Sequence, residues 1–307
     1  MPLYDVALVG GSGFVASHLL NSFKVNGQSC LVLSRMRPAM IPQDSFIPLD
    51  LTKQSMDDVL ARHPASRFKT MIFNSAVKAR YEKGTPEWDT QGLITAPHFK
   101  NLPPFERLIT IGSSEEYGPF TDASEIDEKT HAKAASSYGY WKLKLLENAQ
   151  KWANETGGQH IHLRPFNIIG PGADPKMLVG AVIRALLQNK EFKMTGGDQY
   201  RSFLSVSTLV KTVEALLKVT DWQRYGPILN VSEPHYFKIK DLVQLLQQKI
   251  KSEKVLFGEV PYRADEVWHQ NPSLNRLKRL LGENYYPPID KTLDEMIESI
   301  RSGEQLS

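Results

Sequence analysis

The stretch Val6-Ala7-Leu8-Val9-Gly10-Gly11-Ser12-Gly13-Phe14-Val15-Ala16 decides the fold. Its four leading apolar residues read as a buried strand, and the glycines after them read as a tight turn. Gly10-x-x-Gly13-x-x-Ala16 is the spacing of a turn that starts a helix beneath a dinucleotide pyrophosphate. Gly10 makes the turn, Gly13 lets backbone N–H groups approach the phosphates, and Ala16 lets the helix pack close to the strand. Phe14, Val15, Leu19 and Leu20 then carry the helix's apolar face. A glycine-containing strand–helix turn without a ligand is the alternative, and the rest of the chain bears on it.

Working outward, 307 residues suffice for one large domain or two modest ones sharing an interface. Hydrophobic content of 41% and charged content of 23% are ordinary for a globular enzyme. The net charge of +3 is dispersed, with no run like a nucleic-acid arm, and suits an anionic small molecule equally well. The one cysteine, Cys30, excludes an internal disulfide and sits in the apolar run Cys30-Leu31-Val32-Leu33, as a buried strand residue rather than a nucleophile. No segment approaches the roughly 18 apolar residues that span a bilayer. The first strand begins almost at once, leaving no room for a signal peptide, so the expectation is a cytoplasmic protein.

Ser29 to Ser34 read as a second strand, ending in Ser34-Arg35-Met36-Arg37. The adenosine ribose of a dinucleotide lies at such a strand end, where an acid would bind the free 2′-hydroxyl and repel a 2′-phosphate. This chain has Ser34, Arg35 and Arg37 instead, donors suited to a phosphate, which favours NADP(H) while leaving NAD(H) possible. A solvated basic loop is the alternative. Phe46 to Leu51 form a short third strand, with Asp50 positioned to accept from the adenine amino group and Leu51 to pack beside the ring. A helix spans Ser55 to Arg62. Thr70 to Phe73 lead into Asn74-Ser75-Ala76-Val77, where Ser75 and Ala76 are small enough for a cofactor to cross the sheet. Leu108 to Ile111 precede Gly112-Ser113-Ser114-Glu115-Glu116-Tyr117-Gly118. This cadence implies an α/β, Rossmann-type doubly wound parallel sheet with ligands at the carboxyl ends of its strands.

Tyr138 and Lys142 are four apart on a helix that continues through Leu143, Leu145, Leu146 and Ala149, so both project from one face. A nearby lysine favours the phenolate and lets the phenol exchange a proton near neutral pH. Tyr140 and Lys144 share this spacing, and either pair can equally be a solvated surface pair. Ile161 to Leu163 form a sixth strand. Beyond it the reading is helix (Met177–Gln188), helix (Ser207–Val219), strand (Ile228–Val231), a helix after Ile239, strand (Lys254–Phe257), a helix after Leu274 and a final helix from Leu293, with a polar tail. A smaller α/β C-terminal lobe therefore joins the nucleotide-binding body through several crossings.

Together these segments resemble the extended short-chain dehydrogenase/reductase family, in particular its nucleotide-sugar epimerase, dehydratase and reductase branch. Val9 to Ala16 are similar to its glycine motif, Asp50-Leu51 to its adenine pair, and Ser113 to Gly118 to its active-site serine segment. Tyr138 and Lys142, rather than Tyr140 and Lys144, hold its catalytic register. Arg164-Pro165-Phe166-Asn167 through Gly172, Gly197 through Val206, and Arg263-Ala264-Asp265 through Gly282 resemble the branch's substrate segments. The resemblance implies Ser113, Tyr138 and Lys142 as catalytic residues. It implies Gly10, Gly13, Phe14, Val15, Ser34, Arg35, Arg37, Asp50, Leu51, Ser75, Ala76, Lys142 and Phe166 at the cofactor, and Ser114, Glu115, Asn167, Arg201 and Arg263 at a nucleotide-diphosphate sugar. Residues 1–167 with about 201–232 would form the NADP-binding Rossmann domain, and 168–200 with 233–307 the nucleotide-sugar-binding lobe. Trp141, Gln91 and Ile168-Ile169 depart from the family pattern, Trp141 in a position to narrow the nicotinamide side.

The reaction implied is hydride transfer at a sugar carbon, with Tyr138 exchanging the proton, Ser113 bonding the sugar oxygen and Lys142 holding the nicotinamide ribose. The Ser34-Arg35-x-Arg37 end favours an NADPH-dependent reductase of a 4-keto-6-deoxyhexose. A 4-epimerase with retained cofactor, and a 4,6-dehydratase using Glu115, are the alternatives, with a non-catalytic NADP-binding sensor as a more remote one. A homodimer through the helix after Tyr138 is also expected; no metal, nucleic acid or membrane is.

Overall fold

A computed structural model describes residues 3–64, 66–75, 99–100, 102–264 and 266–303. Its main sheet contains β1 (Leu3–Val9), β2 (Cys30–Ser34), β3 (Phe46–Pro48), β4 (Arg67–Phe73), β5 (Arg107–Ile111), β7 (Gln159–Pro165) and β12 (Ile228–Val231). These seven strands lie in the order β3-β2-β1-β4-β5-β7-β12, every pair parallel. This is the doubly wound sheet expected from the sequence. The order reverses at β1, so the crevice between the carboxyl ends of β1 and β4 is the switch point where such sheets bind ligands.

Alternate residues of β1 enter two different cores, as the two-residue strand period requires. Val6 and Leu8 join a core with Leu19, Leu20 and Phe23 of the helix Phe14–Val25 and Leu209, Val213 and Leu216 of the helix Val206–Lys218. Ala7 and Val9 join the opposite core, with Met56, Val59 and Leu60 of the helix Met56–Ala61 and Trp141, Leu145, Ala149 and Trp152 of the helix Ser137–Thr156. Coverage of both faces explains why the strands read as continuous apolar runs.

Smaller strands build the second lobe: β6 (Glu125–Ile126), β8 (Ile168–Ile169), β9 (Phe192–Met194), β10 (Tyr200–Ser202), β11 (Leu204–Ser205), β13 (Tyr236–Lys238), β14 (Val255–Phe257) and β15 (His269–Pro272). A four-stranded sheet runs β13-β10-β15-β6, and β8–β11 and β9–β14 are separate pairs. Helices Leu178–Leu187, Ile239–Ile250 and Ile289–Ser302 close a third core through Val182, Ile183, Leu242, Leu246, Leu293 and Met296. The last helix begins a turn before the expected Leu293, because Pro288 is its N-cap and Ile289 already faces the core. The chain then mixes the two bodies more than its segments suggest. Glu125–Ile126 pairs with β15 in the lobe sheet, whereas Leu274, Leu277 and Tyr285 enter the core beneath β12.

Leu209 is fully buried in that core. Leu209→Ala is expected to lower unfolding stability by about 2–5 kcal/mol, measured by urea denaturation, with the far-UV spectrum retained.

Candidate active site

The glycine turn lies at the switch point. Gly10 has φ +86°, and a Cβ there would stand 2.8 Å from the backbone nitrogen of Ser75 and 2.9 Å from its Cα. Glycine is therefore required for β1 to meet the end of β4. At Gly13 the geometry is the opposite: a Cβ would meet nothing within 4 Å. Gly13 is the N-cap of the helix Phe14–Val25, whose first turn has neither a side-chain cap nor an acid. Among the described residues nothing fills the space beside this positive dipole end, which fits the pyrophosphate of NAD(P). Val15 is half-buried against the core. The half-buried Phe14 ring meets His18 edge-on at 5.4 Å and would lie 3.6 Å from a Cβ at Gly170. His18 Nε2–H donates to the Pro171 carbonyl at 2.9 Å, joining this helix to the lobe entry.

At the end of β2, Ser34 is buried and its hydroxyl donates to the Met36 carbonyl at 2.7 Å, so that proton is committed within the chain. Arg35 and Arg37 are exposed, and Arg37 also donates to the Ile41 carbonyl. Asp50 accepts from the Thr52 hydroxyl at 2.7 Å and amide at 3.1 Å. These hydrogen bonds hold its carboxyl below the usual range, with smaller help from Lys53 and Arg35. Leu51 is half-buried beside it. Ala76 and Gln91 lie outside the described residues.

Lys142 is 2% exposed, and its ammonium donates to the carbonyls of Ile111 at 2.6 Å and Ser75 at 3.1 Å. Its Nζ stands 5.5 Å from the ring centroid of half-buried Tyr138. By contrast, Tyr140 is 43% exposed and Lys144 pairs with Glu147 on the surface. The two pairs of equal spacing are thus separated by burial. Trp141 is only 5% exposed and packs in the core beside Phe73, with a ring separation of 6.4 Å. It fills space between helix and sheet rather than narrowing the nicotinamide side.

Ser113 follows β5, is 7% exposed, and caps the short turn Ser114–Tyr117. Its hydroxyl accepts the Glu115 amide at 3.2 Å and retains a proton of its own to donate. Ser114 beside it is equally buried. Glu115, expected at the substrate, directs Oε2 to the Ser136 hydroxyl at 2.7 Å, and Ser136 caps the helix that carries Tyr138. A Cβ at Gly139 would stand 2.6 Å from the Glu115 carbonyl oxygen, so serine turn and tyrosine helix are in close contact. Phe166, expected at the cofactor, is fully buried with Tyr117 and Ile126.

Sequence reasoning missed the polar group beneath Ser113. The fully buried Glu116 carboxylate accepts the Ser113 amide at 2.7 Å, His162 Nε2–H at 2.9 Å and Arg164 Nε–H at 2.7 Å. His162 Nδ1 lies 2.6 Å from the Thr110 hydroxyl, which lies 2.9 Å from His160 Nε2. Despite the cost of burial, His162 and Arg164 hold the Glu116 carboxyl below its usual range. Burial depresses both histidines, His160 to about 3.

In the lobe, the Asn167 side-chain amide donates to the Ser202 carbonyl and to Gln270 Oε1, both at 2.8 Å. Arg201, expected at the phosphates, is largely buried and paired with Glu266 at 3.0 Å. Burial lowers its basicity, and Glu266 opposes that shift. Arg263 is exposed. Among the described residues, no group of three or more His, Cys, Asp and Glu could hold a metal ion, and no helix is long and apolar enough to cross a membrane. Burial pushes the Cys30 thiol up to about 12, which makes it a poor nucleophile.

The sequence model of the NAD dependent epimerase/dehydratase family matches residues 6–232. The chain belongs to this family. This epimerase/dehydratase-family chain is thus an NAD(P)-dependent enzyme. It is 24% identical over 254 residues to dTDP-6-deoxy-L-talose 4-dehydrogenase (NAD(P)(+)) from Kitasatospora kifunensis, across 78% of this chain and 77% of that protein. UDP-glucose 4-epimerase from Thermotoga maritima, solved with UDP-glucose, superposes with a TM-score of 0.80 at 18% identity, across 97% of this chain and 99% of that one. UDP-glucuronic acid 4-epimerase from Bacillus cereus, solved with UDP-glucuronic acid and NAD, superposes with a TM-score of 0.78 at 18% identity, across 98% and 100%.

Two outcomes follow from this geometry. Gly10→Ala forces a side chain into the Ser75 backbone, and NAD(P)H binding, read by fluorescence titration, is expected to be lost. The buried histidines set the acid response. Below the ordinary histidine value of 6.5 the unfolded chain takes up protons that His160 and His162 refuse in the folded state. Stability is therefore full above that value and falls as pH drops, for His160 down toward about 3, by at most roughly 1 kcal/mol per pH unit, and His162 acts in the same direction. Glu116 adds to the fall below its ordinary value of 4.5. Urea denaturation across this range tests the slope, which His160→Gln is expected to reduce.

Proposed function

We propose that the chain is an NADPH-dependent reductase acting at C4 of a nucleotide-activated 4-keto-6-deoxyhexose. The observation that carries the choice is the end of β2, where Ser34 is followed by exposed Arg35 and Arg37 and no acid ends the strand. Exposed guanidinium groups there favour a 2′-phosphate, and NADPH favours net reduction. The K. kifunensis relative, named for oxidation at C4 of a deoxysugar nucleotide with either cofactor, supports the same class of reaction. A 4-epimerase that retains its cofactor is the second reading, supported by the likeness to the two solved epimerases.

When bound, NADPH supplies the hydride. Gly10, Gly13 and the helix end after them would hold its pyrophosphate, Asp50 and Leu51 its adenine, and Arg35 and Arg37 its 2′-phosphate. Tyr138 gives its phenolic proton to the sugar oxygen as negative charge develops there. The Lys142 ammonium, held by the Ile111 and Ser75 carbonyls, favours the phenolate this leaves. Ser113 donates its hydroxyl proton in a hydrogen bond to the same oxygen, where a fixed donor contributes most. Asn167, Arg201 and Arg263 form the lobe side on which the nucleotide diphosphate would rest. The outer face of the Ser137–Thr156 helix, bearing exposed Tyr140, is the face we assign to a homodimer contact.

Purified protein is expected to consume NADPH stoichiometrically with a GDP- or dTDP-4-keto-6-deoxyhexose, and NADH more slowly. Tyr138→Phe is expected to lower kcat by about 100-fold or more while NADPH still binds. Isomerisation of a stable nucleotide sugar, with no net NADPH loss on any keto sugar, would establish the epimerase instead.

A further inference from the structure

We propose that Glu116 is a positioning residue for Ser113, holding the serine from beneath through its backbone amide. The inference rests on the reading that Ser113 acts on the substrate oxygen. The turn Ser114–Tyr117 has only four residues, and so short a 3₁₀ turn has little stability of its own. It is held at both ends. At one end Glu116 Oε1 takes the Ser113 amide at 2.7 Å; at the other the Tyr117 hydroxyl donates to Asn230 Oδ1 at 2.7 Å. Arg164 serves both, with Nε on Glu116 and its guanidinium 4.4 Å from the Tyr117 ring centroid.

The backbone just before Ser113 lies directly on this group. A Cβ at Gly112 would stand 2.3 Å from Glu116 Oε1 and 2.2 Å from His162 Nε2. Proton placement is also determined. An ionised Glu116 only accepts, so His162 carries its proton on Nε2 and accepts the Thr110 hydroxyl at Nδ1. Thr110 in turn accepts from His160 Nε2–H. The remaining nitrogen, His160 Nδ1, is buried without a partner, as a bare ring nitrogen of that tautomer would be. The chain of donors therefore ends on Glu116, whose carboxylate also accepts the Ser113 amide in a charge-assisted bond.

The test compares Glu116→Val, which removes the acceptor, with Glu116→Gln, which keeps one oxygen for the amide, each with Ser113 intact and as Ser113→Ala. Assays use whichever nucleotide sugar the wild type turns over. Glu116→Val is expected to lower kcat at least about tenfold, with KM and the NAD(P)H Kd within about twofold, and Glu116→Gln to recover most of the loss. With Ser113→Ala, Glu116→Val is expected to cost less than about twofold more. An equal loss in both backgrounds, or a loss confined to KM and cofactor affinity, overturns the proposal. If Glu116→Val does not fold, selective ¹⁵N-serine spectra of wild type and Glu116→Gln decide. The Ser113 amide proton is expected far downfield in wild type and upfield-shifted in the variant, and an unchanged resonance overturns the proposal. If the wild type turns over no nucleotide sugar, the functional reading fails by itself, and the same amide comparison still decides the role of Glu116.

Discussion

A buried ammonium must have acceptors, and Lys142 finds them where β4 and β5 end. At that edge the carbonyls of Ser75 and Ile111 are available, and two of them on one cation fix the helix Ser137–Thr156 across the sheet. Tyr138, one turn earlier, is carried to the same edge. Ser75 is shared further, because its backbone is also what Gly10 packs against. The turn suited to the pyrophosphate and the lysine beside the tyrosine are thus registered on one residue. A shift of β4 relative to β1 would disturb both together.

The lobe is organised by pairing rather than by open charge. Arg201 is neutralised by Glu266, and both hydrogens of the Asn167 amide are engaged by Ser202 and Gln270. Both acidic and amide partners come from the segment entering β15. At the position we propose for a diphosphate, the arginine is therefore compensated and the asparagine has only its oxygen left to offer. Arg263, at the start of that segment, is exposed rather than buried in such a pair. The lobe's electrostatics thus depend on how residues 263–270 sit, more than on the number of basic residues they contain.

The body of the fold was legible because its signals are local and repeated: apolar runs of strand length, glycines at the first turn, and helices with one apolar face. Lobe strands of two to four residues are too short to show a period, so apart from Val255–Phe257 they emerged from pairing. At the site, equal spacing could not separate Tyr138–Lys142 from Tyr140–Lys144, and the difference lies in which carbonyls the folded chain brings to the lysine. Glu116 carried no assignment of its own within the serine segment. A signal was nevertheless present in β7, where His160, His162 and Arg164 alternate with Ile161 and Leu163. Polar residues on one face of a strand covered on both sides require a buried partner. Trp141, buried beside Phe73, shows a related limit: residue type at a motif position does not reveal which side of the backbone faces the cleft.

The same lysine connects the two halves of the active-site floor. Burial is the main force keeping His162 neutral, and the nearby charges of Arg164 and Lys142 add to it against the attraction of Glu116. Neutrality is what allows His162 to donate from Nε2 while accepting at Nδ1, and so preserves the direction of the chain ending at the Glu116 carboxylate that accepts the Ser113 amide. A proton on His162 would place a third cation beside Arg164 and Lys142 and oblige Thr110 to reverse its hydrogen bond. Lys142 therefore faces two ways: on one side its ammonium stands 5.5 Å from the Tyr138 ring, where our proposed mechanism has it favour the phenolate, and on the other it adds to the charge that resists protonation of His162 beneath Ser113.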